Sequence, residues 1–259
     1  MEAVAIDWSG DARAARRRIR VATARPGRLL AVRAGLDREG VADLLRERAA
    51  SGPVVAGLDF SFALPAWFAR EQGCADVAAL WALVAREGER WLRECRPPFW
   101  GRGATPRPPP DPARPGFRVT EEAARADGLT PTSTFQIGGA GAVGTGSLRG
   151  MPHLARLRTA GFAVWPFDDA GPATLIEIYP RVHTGPVVKR SPAARREDVA
   201  GDPRIPATLR DDVVATEDAF DAALSALAMA EHLDAIRSLR AAPTGSPEAI
   251  EGALWRPRS

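Results

Sequence analysis

The sequence predicts an α/β fold, a mixed sheet flanked by helices, on three observations. Residues 3–7 and 54–59 are short, almost wholly apolar runs, the pattern of strands buried on both faces. Residues 18–24 and 28–34 mix β-branched and polar positions around Arg25-Pro26-Gly27, which reads as a hairpin. Segments of helical periodicity alternate with these strands. A buried strand, a hairpin, a helix and a second buried strand, in that order, imply both antiparallel and parallel neighbours.

The remaining elements follow in chain order. Asp37 is placed to cap a helix in which Val41, Leu44, Leu45 and Ala49 recur at helical spacing, and Ser51-Gly52-Pro53 stops it. Residues 66–95 read as helical, with Trp67, Leu80, Trp81, Val84, Trp91 and Leu92 as core contacts. Residues 96–118 are too dense in Pro and Arg for a regular element and read as an insertion, lid or partly disordered loop. The insertion extends to about 150, through the glycine-rich FQIGGAGAVGTGSLRG (135–150), which reads as a flexible loop leading into a helix around 151–160. FAVWPF (162–167) and TLIEIYP (174–180) read as strands. After a Pro-rich stretch, 181–210, residues 215–233 form a strong helix with Thr216 as its cap. No internal repeat is visible, and the chain reads as one domain, 1–259.

Composition bounds the class of function. With 45% hydrophobic and 26% charged residues, 259 residues can bury a sizeable core. No apolar run approaches the roughly 18 residues that span a bilayer, so no membrane role is expected. The N-terminus turns acidic at Asp7 without a signal-peptide layout, which points to the cytoplasm. Cys74 and Cys95 fit no metal or redox spacing and read as reduced, structural thiols. Lys189 is the single lysine among 35 basic residues, the rest being arginine. Such usage reflects GC-rich coding, so the net charge of +3 says little about nucleic acid.

Placement of the acids says more. Asp7, Asp59, Glu177, Asp218 and Asp221 each lie in or beside an apolar segment, where an unpaired carboxylate is costly. Asp218 and Asp221 are three apart on a helix and share a face near its N-terminus. Taken singly, a strand-end acid is more often a cap or a salt-bridge partner than a ligand, and Asp218 and Asp221 read equally as N-terminal helix acids. Together they would repel one another, and hard oxygen donors in such a set suit Mg²⁺ or Mn²⁺.

Asp7 in AIDWSG, Asp59 in GLDFSFALP, Glu177 in EIYP and the helix DAFDAALSALAMA resemble the predicted-nuclease family known as domain of unknown function 429. PFWGR, FQIGGAGAVG and VWPF resemble its longer-insert members, so the likeness spans nearly the whole chain. The resemblance implies an RNase H-like fold, with a five-stranded mixed sheet. It also implies a metal-dependent nuclease that hydrolyses phosphodiester bonds of DNA or RNA with two metal ions. Carried over, Asp7 matches the first-strand acid that bridges both metals, Asp59 the fourth-strand acid, and Asp221, with Asp218, the acid of the last helix. Glu177 fits the family's EIYP motif, while the early-helix Glu of RNase H has no clear match here. The implied catalytic set is Asp7, Asp59, Glu177 and Asp221, with Asp218 added among the metal ligands.

Other residues are candidates for contact with nucleic acid. Arg17 and Arg18 lie in an arginine-rich approach to the hairpin and can meet phosphates. Trp100, with Phe99 beside it, stands between Arg96 and Arg102, a mixture of stacking and charge that suits single strands, although a Pro-rich cover over the core reads equally well. Gln136 belongs to the glycine-rich stretch, whose N–H groups can face a phosphate, and His183 can orient a water or touch a phosphate. The glycine-rich stretch matches neither a P-loop nor a dinucleotide fingerprint. Two other functions stay open at this point: a non-catalytic nucleic-acid-binding or scaffolding protein, and a nucleotide phosphohydrolase.

Overall fold

The computed structural model describes residues 1–257. Its strands are β1 (Glu2–Asp7), β2 (Arg20–Arg25), β3 (Arg28–Arg33), β4 (Val54–Leu58), β5 (Ala163–Val164) and β6 (Ala173–Glu177). They form one six-stranded sheet in the order β3-β2-β1-β4-β6-β5. The hairpin β2–β3 is antiparallel, as is β1–β2, whereas β1–β4, β4–β6 and β6–β5 are parallel. The expected five strands are therefore six. FAVWPF contributes only the two residues of β5, because Pro166 has no N–H to continue the ladder.

The helices are α1 (Ala15–Arg18), α2 (Arg38–Ser51), α3 (Ala66–Glu71), α4 (Val77–Glu94), α5 (Val119–Ala126), α6 (Val143–Thr159), α7 (Arg181–Thr184), α8 (Pro192–Ala200), α9 (Arg210–Val214), α10 (Glu217–Glu231), α11 (Leu233–Arg237) and α12 (Glu248–Glu251). Both sequence-read caps form: Asp37 accepts from the Gly40 N–H and Thr216 from the Ala219 N–H. The expected helix 66–95 is two, parted by Gly73 at φ +74° and restarted by Asp76, which accepts from Ala79. The Pro-rich 181–210 is not featureless, since it holds α7, α8 and a 3-10 turn at Ala207–Leu209.

Two cores lie on the two faces of the sheet. On one, Val4, Ile6, Ala56 and Leu175 pack with Val41, Leu45, Leu80, Trp81 and Leu154 of α2, α4 and α6. On the other, Ala3, Ala5, Val55 and Ile176 pack with Phe220, Ala223, Leu227 and Met229 of α10. Small residues on that second face let α10 approach closely. A Cβ at Gly57 would stand 2.6 Å from the Met229 sulfur.

The insertion is built differently from the loop that its composition suggests. Phe99 is 2% exposed and joins Phe68, Trp91 and Phe135 in an aromatic cluster. Of the glycine-rich stretch, Gly144, Gly146 and Gly150 lie inside α6. There they serve close approach: a Cβ on Gly10 would meet the Gly146 nitrogen at 2.4 Å, and one on Gly150 the Phe60 ring at 2.4 Å. Cys74 and Cys95 are free and buried.

Candidate functional site

Register brings the acids together. Ile6 pairs with Leu58 across the parallel β1–β4 ladder, and the Asp59 N–H donates to the Ile6 carbonyl at 3.0 Å. Asp7 and Asp59 thus stand side by side at the carboxyl ends of adjacent parallel strands, where open α/β sheets place their ligands. Strand alternation puts Asp7 on the face of Ala3 and Ala5, and Asp59 on that of Val55 and Gly57, the face that α10 covers. From α10 come Asp218, one residue past Glu217, and Asp221, which is 7% exposed.

The electrostatics agree with this geometry. Burial, then the charges of Asp59, Asp218 and Asp221, hold the Asp7 carboxyl well above the usual carboxylate range, and Lys189 partly offsets them. Asp59 is pushed up to about 8 by burial and by Asp221. Burial also raises Asp218, against the pull of Arg20 and Arg18, and raises Asp221, against Lys189. The Lys189 ammonium donates to Oδ2 of Asp221, while Oδ1 of Asp221 is buried with no partner among the described residues.

Glu177 departs from the set. It pairs with Leu58 across the β4–β6 ladder, and alternation turns it to the face opposite Asp59, with Leu175. There Oε2 accepts from the Phe62 N–H at 2.8 Å and from Nη1 of Arg118 at 2.9 Å, and Oε1 accepts from Nη2 of Arg118. Arg118 is 1% exposed and also donates to Glu121 and to the Glu251 carbonyl. Both oxygens of Glu177 are therefore engaged by the chain itself, unlike Oδ1 of Asp221. No group of three or more His, Cys, Asp or Glu side chains among the described residues is arranged to hold a metal ion as it stands.

The remaining candidates fall in three places. Arg17 and Arg18 are exposed on α1, and Arg18 lies 3.8 Å from Asp11, with its charge also felt at Asp218. His183, on α7, has Nδ1 at 3.1 Å from the hydroxyl of Ser225, which is one turn of α10 beyond Asp221, and its Nε2 has no partner among the described residues. Burial lowers its pKa to about 4, so it is neutral near pH 7. In the insertion, Arg102 donates to the carbonyls of Ile137 and Leu92, and Gln136 to those of Gly138 and Ala140. Arg107 lies over the Trp100 ring, and Arg96 pairs with Glu94 at 3.2 Å. Arg102 and Gln136 thus brace the insertion, and the buried Phe99 is not free to stack on a base.

Sequence reasoning missed Lys189 and Arg118, whereas Trp8, beside Asp7 in AIDWSG, reads from sequence either as a wall of the site or as part of the turn. Lys189 had a signal, its uniqueness, whereas Arg118 is hidden among many arginines. Trp8 packs on Phe60 at 4.9 Å and walls a cavity of about 340 Å³, which Asp59, Phe60, Tyr179 and Gly146 also line. A larger cavity of about 550 Å³, between α3, α4 and the Pro-rich segment, contains none of the five acids. No helix among the described residues is long and apolar enough to cross a membrane. Comparison with family models, with curated proteins and with solved structures finds no match to this chain.

Proposed function

We propose that the chain is a metal-dependent nuclease with an RNase H-like core, hydrolysing phosphodiester bonds of DNA or RNA. The observation that carries this reading is the pairing of Asp7 and Asp59 on adjacent parallel strand ends, facing Asp218 and Asp221 of α10. A mixed sheet with helices on both faces is consistent with the RNase H-like resemblance.

The donor chemistry fits a hard divalent cation such as Mg²⁺ or Mn²⁺. Every donor is a carboxylate oxygen, and Oδ1 of Asp221 is a buried acceptor with no donor among the described residues. Asp7, Asp59 and Asp221 would hold the ion, with Asp218 beside them. The chemistry that such an ion supplies is Lewis acidity toward a phosphoryl oxygen and a water acidic enough to attack at neutral pH. The rest belongs to the chain. Arg18 and Arg20, beside Asp218, offer positive charge to the neighbouring phosphates. Trp8 and Phe60 form an apolar wall that limits water next to Asp59.

The test is cleavage of single-stranded, duplex, hybrid and branched substrates with Mg²⁺ or Mn²⁺. Activity is expected to vanish with ethylenediaminetetraacetate and to fall to background in Asp7→Asn. Undiminished cleavage by Asp7→Asn would overturn the assignment. A non-catalytic nucleic-acid-binding role is the second reading, favoured by the ion pair that already engages Asp221. Failure of the chain to bind Mn²⁺ at millimolar concentration would select it.

A further inference from the structure

Lys189 is the single lysine of the chain, and it lies where the carboxylates of Asp7, Asp59, Asp218 and Asp221 act on one another. Its ammonium donates to Oδ2 of Asp221, and its charge is felt at Asp7, Asp59 and Asp218 as well. The side chain is 22% exposed against 10% for that of Asp221, so the pair is largely shielded from water and salt.

Its placement is built rather than incidental. Arg195, 5% exposed, donates through Nη1 to the Lys189 carbonyl and through Nε and Nη2 to the Val214 carbonyl, at 3.0 and 2.9 Å. Val214 lies two residues before Thr216, the cap of the helix that carries Asp218 and Asp221. A buried guanidinium thus ties the backbone of the lysine to the root of the acid-bearing helix.

Charge and geometry together limit what else can bind. Asp221 is divided, with Oδ2 held by Lys189 and the buried Oδ1 unpartnered on a side chain that is nine-tenths buried. Once a bound cation has displaced the protons that burial favours, four carboxylates and one ammonium carry three negative charges, which one divalent ion brings to minus one and two would make positive. We propose that Lys189 is a resident cation of this site. It takes the place of one of two divalent ions, so that the chain binds a single Mg²⁺ or Mn²⁺ through Asp7, Asp59 and Oδ1 of Asp221. The inference rests on the metal-dependent reading above and replaces the two-ion form that the resemblance implies with one ion and one lysine. Lys189 then stands where it can touch a substrate phosphate, as a point charge held by Asp221.

Calorimetric titration with Mn²⁺ tests this without an activity assay. The wild-type chain is expected to bind one ion, Lys189→Arg one, and Lys189→Met two. Because Lys189 is the only lysine, acylating the amines of the folded protein changes this side chain and the N-terminus alone, and is expected to add the second ion too. That experiment stands in where Lys189→Met does not fold, as judged by its circular dichroism. Two ions in the wild-type chain, or one in both Lys189→Met and the acylated protein, would overturn the role of the lysine and leave the metal site standing. No Mn²⁺ bound by any form would overturn the metal-dependent reading itself.

Discussion

Asp7 and Asp59 are kept where charge is costly. Each carboxyl is crowded by burial and by its neighbours' charges, which raises its affinity for a proton in the folded state. For Asp59 the folded value of about 8 exceeds the ordinary 3.8, so its contribution to stability is complete below about pH 4 and is lost as pH rises to 8. His153 and His183 work in the opposite direction. Burial lowers both to about 4, so their contribution is complete above about pH 6.5 and is lost as pH falls toward 4. Asp59→Asn removes the first loss without touching the second. In metal-free buffer its Tm is expected to exceed that of the wild type by roughly 3–6 °C at pH 8, about 1–2 kcal/mol, and to match it near pH 4. Thermal melts across that range check it, and an unchanged slope would show that Asp59 is not the group responsible. Such a gain in stability on loss of a buried carboxylate is the usual trade where function competes with stability.

Among the elements, the turn Trp8-Ser9-Gly10 and the first turns of α6 depend on one another. Gly10 has no Cβ because the Gly146 nitrogen and the Thr145 carbonyl carbon occupy that space at 2.4 and 2.5 Å. A methyl there must displace backbone rather than a pliable side chain, so Gly10→Ala is expected to cost about 2–3 kcal/mol and lower Tm by roughly 5–10 °C. The same displacement moves Trp8, whose Cδ1 is 3.6 Å from the Cβ position of Gly146. Tryptophan emission, to which Trp8 contributes as one of seven, is therefore expected to shift in the folded variant, whereas a variant with unaltered Tm would show that the turn can yield. The glycines of 138–150 are thus explained by packing more than by flexibility, since three of them sit within a regular helix.

At the scale of the whole molecule, remote parts of the chain meet at one buried network. Arg118 at the start of α5 holds Glu177 at the end of β6, Glu121 within α5 and the Glu251 carbonyl of α12. The Glu251 carboxylate in turn accepts from the Ala66 and Val119 N–H groups. The insertion, the sheet and the C-terminal helix are joined there. Removing the cation leaves two buried carboxylates unpaired, so Arg118→Met is expected to cost about 3–5 kcal/mol and lower Tm by roughly 10–15 °C. Glu177→Gln should also lower Tm while leaving Mn²⁺ affinity within about twofold. A large loss of Mn²⁺ binding in Glu177→Gln would return this residue to the ligand set.

What the sequence determined by itself is what depends on neighbours a few residues apart. The apolar runs of β1 and β4, the hairpin turn at Pro26-Gly27, the caps Asp37 and Thr216 and the acids at the element ends are all set by local pattern and by the cost of a stray charge. Tertiary structure decided what depends on contacts between distant segments. Helical glycines and looped glycines have the same composition, so only the backbone of Gly10 against α6 shows which is which. In sequence, Glu177 reads as one of five similar acids, but the register of β6 beside β4 turns it to the other face and into the grip of Arg118. Lys189 is more than thirty residues from Asp221 along the chain, and no periodicity links them. A carboxylate announces itself by its local context, but its partner is chosen by how the strands and helices stack.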